Sequence, residues 1–208
     1  RSRGLGDVYK RQARSNTTGT GITAIGGNAL YKNTTSANNT AIGASALYNT
    51  TGGNDNTAVG ASALQANTTA STNTAVGYQS LKTNTTGSAN VSVGYYSLQQ
   101  NTTGFHNVAV GNNAAEKNTT ANSNTAIGFH ALQETQTHSG NTAVGKFALQ
   151  NNAQINNTAV GSQAAQNTTS AVNIVAIGTL ALNANTTGSQ NHAFGYQSLT
   201  TNTTGNGN

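Results

Sequence analysis

Apolar and polar positions follow a fixed schedule along this chain. A glycine recurs at Gly26, Gly43, Gly60, Gly77, Gly94, Gly111, Gly128, Gly145, Gly161, Gly178 and Gly195, always 17 residues apart except for a 16-residue step between Gly145 and Gly161. The residue before each glycine is Val or Ile, and once Phe194. Four residues after it stands Leu in nine copies, with Ala115 and Ala165 in the other two, and the residue before that position is always Ala or Ser. Eleven copies of one unit result, N-T-A-[VI]-G-x-x-[AS]-L-x-x-N-T-T-G-x-x.

The length of the unit restricts the structures open to it. Helical hairpin repeats need about 34 residues, and Thr, Asn and Gly form helices poorly. Two short strands joined by turns fit instead: T-A-V/I is β-prone, and N-T-T-G is rich in turn residues. The pattern predicts an all-β fold, a parallel β-solenoid (β-roll) of eleven coils of about 17 residues. Parallel strands stacked about 4.7–4.9 Å apart would make a rod roughly 50 Å long. Identical residues then lie in columns. The Asn four before the glycine (Asn39, Asn56, Asn73, Asn90 and their equivalents) should form an amide ladder, and the Asn-Thr-Thr turns a second polar column. Lys117 and Glu134 share one offset in neighbouring coils and should form an ion pair, worth little if exposed.

Successive strand residues point to opposite faces. Apolarity places the residue before the glycine and the Leu in the core, represented by Val59, Val76, Val93, Leu64, Leu81 and Leu98 around Gly60, Gly77 and Gly94. Alanine then faces the other way in every coil, with Ser92 the one departure. A column so uniformly small implies close cover, either by a partner chain or by a tight coil within one chain. One Val/Ile and one Leu per coil contribute roughly 1.5–3 kcal/mol each when fully buried. Ordering the backbone costs about 1–2 kcal/mol per residue. An isolated chain should be marginal, which favours a homo-oligomer.

Composition and charge sharpen this reading. Only 6% of the 208 residues are charged, and Cys, Pro, Met and Trp are absent, so neither a disulfide framework nor a thiolate metal site is open to the chain. Proline would remove a ladder donor from every coil. Of the net +5, residues 1–14 carry +4 (Arg1, Arg3, Lys10, Arg11 and Arg14 against Asp7), and the rest +1. Basic residues are not gathered on a repeated face, which argues against nucleic acid as partner. Residues 1–14 share nothing with the repeat and read as a disordered or adapter-derived basic leader, with 15–208 the repeat domain. The chain lacks an initiator Met and stops inside a repeat, so it reads as a segment of a longer protein. No run approaches the roughly 18 apolar residues of a membrane helix, so membrane insertion by this segment is not expected.

The coils Asn107-Val108-Ala109-Val110-Gly111 and Asn173-Ile174-Val175-Ala176-Ile177-Gly178 resemble the S-V-A-I-G pattern in the heads of YadA-like trimeric autotransporter adhesins. The whole unit, closest in Asn73 to Gly87, resembles repeats of bacterial and phage tail-fibre-type proteins. The resemblance runs from Asn16 to the C-terminus. It implies a homotrimer of parallel β-rolls that projects from a cell surface or virion and attaches to host glycan or protein. The period departs from the adhesin heads, 17 residues here against about 14 there, and Thr usually replaces their Val three before the glycine.

Chemistry is sparse. His106, His130, His138 and His192 occupy four different offsets. Glu116 and Glu134 are a coil apart but one position out of step, a weak candidate for paired carboxylates. The expectation is a protein that is not an enzyme and has no cofactor or metal. Aromatics are better candidates: Tyr78, Tyr95 and Phe129 each follow a glycine, Tyr96 stands beside Tyr95, and stacked exposed rings could hold a sugar. A stabilising ladder or an inter-chain contact would use the same rings. The Asn-Thr-Thr triplets, from Asn16 and Asn33 through Asn49 and Asn167 to Asn202, also match the glycosylation acceptor pattern. The leading expectation is a structural and adhesive segment of an extracellular fibre. The alternatives are an ice-binding solenoid using Thr and Asn columns and, more remotely, a glycan-degrading spike.

Overall fold

A computed structural model describes residues 11–208. The leader expected over residues 1–14 therefore lies largely outside the described residues. Within them the Ala13 N–H already donates to the Ala29 carbonyl and the Ser15 N–H to that of Tyr31, so hydrogen bonding to the stack reaches back to Ala13.

Each repeat is one coil, and the coils stack in register as a parallel β-solenoid. The strands are β1 (Thr23–Ile25), β2 (Thr40–Ile42), β3 (Thr57–Val59), β4 (Thr74–Val76), β5 (Val91–Val93), β6 (Val108–Val110), β7 (Thr125–Ile127), β8 (Thr142–Val144), β9 (Thr158–Val160), β10 (Val175–Ile177) and β11 (His192–Phe194). They form one eleven-stranded sheet in sequence order, every pair parallel. Ala faces Ala and Val/Ile faces Val/Ile in successive pairs, as between β3 and β4 (Ala58 with Ala75, Val59 with Val76).

The second strand expected in each coil does not form. The stretch after the glycine is a series of turns in which three residues per coil are left-handed. One lies two after the glycine, for example Gln79 at φ 55° and His130 at 55°; the second is at the Leu position, for example Leu81 at 50°; the third lies five before the next glycine, for example Thr72 at 60°. A strand needs negative φ throughout. A closed coil of 17 residues needs sharp corners, and the left-handed positions supply them at roughly 1–2 kcal/mol per residue. Coil-to-coil backbone hydrogen bonds hold them in place, such as Leu64 N–H to the Ser80 carbonyl at 3.0 Å. The glycine after each strand is a further corner. Gly94 has φ +140°, and a Cβ there would lie 2.3 Å from the Gly111 carbonyl oxygen.

The faces of the strand are the reverse of the sequence expectation. The alanines, Ala41, Ala58, Ala75 and Ala109 among them, are fully buried inside the single chain, as is Ser92. Val59, Val76 and Val93 lie on the outer face and are only half-buried, while Leu64, Leu81 and Leu98 are fully buried as expected. Space decides this. Leu and two Asn side chains fill most of the lumen of each coil, leaving room for a methyl group on the strand. The alanine column thus reflects a tight coil within one chain rather than cover by a partner. Ser92 fits because Ser80 stands opposite: the Ser80 hydroxyl donates to Ser92 Oγ at 2.7 Å, and Ser92 Oγ donates in turn to the backbone carbonyl of Ser97 at 2.8 Å.

The polar half of the core is hydrogen-bonded along the axis. The Asn four before each glycine accepts, on its side-chain oxygen, the backbone N–H of its counterpart in the next coil: Asn56 from Asn73, Asn73 from Asn90, Asn90 from Asn107. Its Nδ2 donates to a turn carbonyl 14 residues on, as Asn73 does to Gly87 at 2.9 Å. The first Asn of the turn makes a second buried column, with Asn101 donating to Asn84 Oδ1 at 2.8 Å and Asn118 to Asn101 at 2.7 Å. This ladder stops where Thr135 takes the Asn position and turns its hydroxyl to the Asn152 carbonyl, which leaves Asn118 Oδ1 buried without a donor.

Candidate functional site

The outer surface presents two regions. The first is the outer face of the sheet. Since Ala points inward, the strand residues on either side of it point outward. Two parallel columns result, Thr or Val three before the glycine and Val or Ile one before it. Ile25, Ile42, Val110, Ile127, Val160 and Ile177 are among the large apolar side chains left exposed. The columns run along the whole sheet without a charged residue, since β11 adds only His192 and Phe194.

The second region is the corner just after the strand, at the two positions following the glycine. Tyr78 and Tyr95, on adjacent coils, stack with ring centroids 5.5 Å apart and planes 18° apart. Tyr96 lies against both, 3.9 Å from Tyr95 and 5.7 Å from Tyr78. Its hydrogen bond with Tyr95, with burial adding to it, holds the Tyr96 phenol above its ordinary value of 10.0. The structure thus brings three of the four proposed glycan-stacking residues together. Phe129 lies two coils beyond Tyr95, in a separate cluster with His130 (centroids 4.0 Å apart) and Phe147 (5.4 Å). Lys146 Nζ sits 4.9 Å from the Phe147 centroid. Tyr96, His130 and Phe147 all stand at the second position after a glycine, which carries rings to the same corner; of these the sequence singled out Tyr96 as a ring, because it adjoins Tyr95, but not His130 or Phe147. Tyr31 and Tyr48, five after their glycines, form another stack at 5.2 Å.

Between the two aromatic clusters lies the coil of Gly111, which carries Asn112 and Asn113 in place of rings. Asn113 Nδ2 donates to Glu116 Oε2 at 2.6 Å, and Gln133 Nε2 donates to the same oxygen at 2.9 Å. Gln150 donates to Gln133 and Gln166 to Gln150, so a surface amide ladder runs down the coils and ends on the Glu116 carboxylate. Glu134 is engaged elsewhere, in the expected ion pair with Lys117 at 2.7 Å. Glu116 and Glu134 therefore serve separate networks. Among the described residues no three His, Cys, Asp or Glu side chains gather as a metal site.

Register also divides the Asn-Thr-Thr triplets. Asn33, Asn67, Asn84, Asn101, Asn118 and Asn185 point into the core and are fully buried. In the triplets beginning at Asn49 and Asn167 the motif is shifted by one residue. Thr50 and Thr168 take the buried position there, and Asn49 and Asn167 face outward.

Comparison of the chain with protein-family models, with curated proteins and with solved structures gave no match.

Proposed function

We propose that the chain is a structural and adhesive segment of an extracellular fibre, assembled from parallel copies of itself through the outer face of the sheet. The observation that carries this reading is the pair of outward columns, Thr/Val and Val/Ile, unbroken from β1 to β10 and continued by His192 and Phe194 in β11. Soluble monomers rarely leave a long apolar surface uncovered. A partner that matches eleven successive coils must share their axial spacing, and a second copy of this chain does so at every coil. Covering a half-exposed Val or Ile adds roughly 1 kcal/mol per coil, so the number of coils sets the strength of assembly against the several kcal/mol that association costs. Three copies around one axis is the arrangement implied by the resemblance to YadA-like heads. Repetition then gives reach, and exposed corners give contact with host glycan or protein.

Sedimentation or light scattering of the purified chain should report a mass three times its 21.0 kDa. The double variant V76K/V110K places two charges in the contact and should run as a folded monomer. A wild-type chain that stays monomeric at high concentration would overturn the reading.

Ice binding remains as a second reading on one specific observation. The strands set Thr and Val/Ile in two regular columns on one sheet face. The turn threonines considered from sequence are less suited, because several spend their hydroxyls on coil-to-coil bonds, as Thr85 does to the Thr102 carbonyl at 3.0 Å. A face covered by a second copy cannot meet ice. Thermal hysteresis from a monomeric chain would support this reading, and its absence would remove it.

A further inference from the structure

We propose that the coil of Gly111 forms a saccharide-binding slot, in which a hexopyranose ring lies between Tyr95 and Phe129 over Asn112. The inference rests on the adhesive reading of the fibre and names the ligand class and the place where it is held.

The slot arises from an interruption. The first position after the glycine is aromatic in the coils of Gly77, Gly94 and Gly128, but is Asn112 in the coil of Gly111 between the last two. Tyr95 and Phe129 are both exposed, at 45% and 42%. Tyr95 already stacks on Tyr78 on one side. Tyr96 of the same coil lies against it as well, and the next coil carries Asn112 in place of a ring at the equivalent position. Two coil steps separate Tyr95 from Phe129, about 9.5 Å at the spacing of parallel strands. A flat ring midway would have an aromatic side chain about 4.8 Å away on each side, within the range at which rings pack.

The polar groups suit a sugar rather than a purely apolar ligand. Asn112 is exposed, and its side-chain amide has no hydrogen bond to any described residue, so donor and acceptor are both available to hydroxyl groups. Asn113 is folded back onto Glu116 and leaves the space clear. Glu116 receives two amide donors on Oε2, which orients the carboxylate and leaves Oε1 as an acceptor at the rim. His130 Nδ1 is held by Gln133 Oε1 at 2.5 Å, which fixes the ring beside Phe129. A pyranose offers C–H faces to rings and hydroxyls at its edge, and this corner offers the complementary set. The neighbouring corners lack one half of it: the coil of Gly60 has Ala61 and Ser62, and that of Gly161 has Ser162 and Gln163, with no ring on either.

The test uses the full chain and two probes, cellotetraose and chitotetraose, in saturation-transfer difference NMR. Transfer from protein to the sugar C–H protons is expected for at least one probe. N112Y would fill the slot and complete the ladder of rings, and should weaken binding roughly tenfold or abolish it; F129S should weaken it roughly three- to tenfold by removing one stacking face. Y31A, in a separate stack, should bind as the wild type does. Circular dichroism of each variant checks that the coils remain. No transfer to either probe overturns the proposal, as does unchanged binding by folded N112Y or, should that variant fail to fold, by F129S. The fibre reading fails on different grounds, the mass of the assembly, which N112Y should leave unchanged.

Discussion

The backbone N–H of Asn73 donates to the side-chain oxygen of Asn56 at 2.9 Å, from one coil to the next, while its own side chain repeats the contact with Asn90. One residue type thereby satisfies a buried backbone donor in every step of the stack except those that start from Ile22 and Ile174. Its Nδ2 reaches across the lumen to the Gly87 carbonyl at 2.9 Å, tying strand to turn.

Asn73→Ala should therefore strand the Asn90 N–H and weaken the cover of the Gly87 carbonyl. Each unsatisfied buried group costs about 1–3 kcal/mol, so a loss of roughly 2–4 kcal/mol is expected in chemical denaturation. Asn73→Asp should cost more at neutral pH, because the new carboxylate is buried and one of its oxygens faces a carbonyl. Burial raises the folded pKa of that carboxyl. The extra loss should shrink as pH falls through the raised value, where the protonated group can donate to Gly87. A pH-independent difference between the two variants would contradict this account.

Gly94→Ala tests the corner. The substitution meets both a left-handed φ of +140° and a carbonyl oxygen 2.3 Å from the new Cβ, belonging to a backbone that is itself fixed by stacking. A loss of about 3 kcal/mol or more is expected. Gly52 is the control: its nearest neighbour would be 3.9 Å away and it lies in the exposed turn. Gly52→Ala should fall within about 0.5 kcal/mol of wild type.

Thr72 is strained in the folded chain. It is β-branched, exposed and left-handed at φ 60°, a conformation that costs such residues most. The same offset holds Asn38 at 56° and Asn156 at 58°, each followed by Asn and Thr as Thr72 is. Thr72→Asn should raise stability by about 1 kcal/mol, measured as a shift in denaturation midpoint without change in slope. The lost Thr72 hydroxyl bond to the Ser71 carbonyl is local and exposed. A neutral or destabilising result would mean that this bond outweighs the relief of backbone strain.

The period was enough to place the columns. Seventeen-residue spacing put Leu64, Leu81 and Leu98 over one another in the core, set the Asn ladder and matched Lys117 with Glu134. It could not say which face of the strand is inside. Hydropathy favoured Val76 over Ala75, but the lumen left by Leu and Asn admits only a methyl, so volume outranked hydropathy. The signal was present in the uniformity of the alanine column and in Ser92, whose hydroxyl pairs with that of Ser80 across the core. Reading the turns by motif grouped Asn49 and Asn167 with the buried asparagines. Counting from the Leu instead gives the shift, since the inward turn position is always three after it, as Thr50 is to Leu47 and Asn67 to Leu64. The aromatic corner was half visible, because rings at the second position after the glycine, His130 and Phe147, do not share an offset with Tyr78.

The Lys117–Glu134 pair sets a small, signed pH effect. Its nitrogen and oxygen are 2.7 Å apart on side chains 39% and 36% exposed. The hydrogen bond to Glu134, then its charge, hold the Lys117 ammonium above its ordinary value of 10.5. A raised lysine pKa stabilises the fold fully below the unfolded value, and the contribution is lost as pH climbs through the folded one. Solvent screening of so exposed a pair keeps it below about 1 kcal/mol. Lys117→Gln should thus be slightly less stable than wild type at neutral pH. The gap should close as pH rises past 10.5, and also in about 1 M salt, where screening reaches ~3 Å. A gap that persists at both high pH and high salt would mean that Lys117 acts through the packing of its aliphatic stem on the neighbouring coils rather than through its charge.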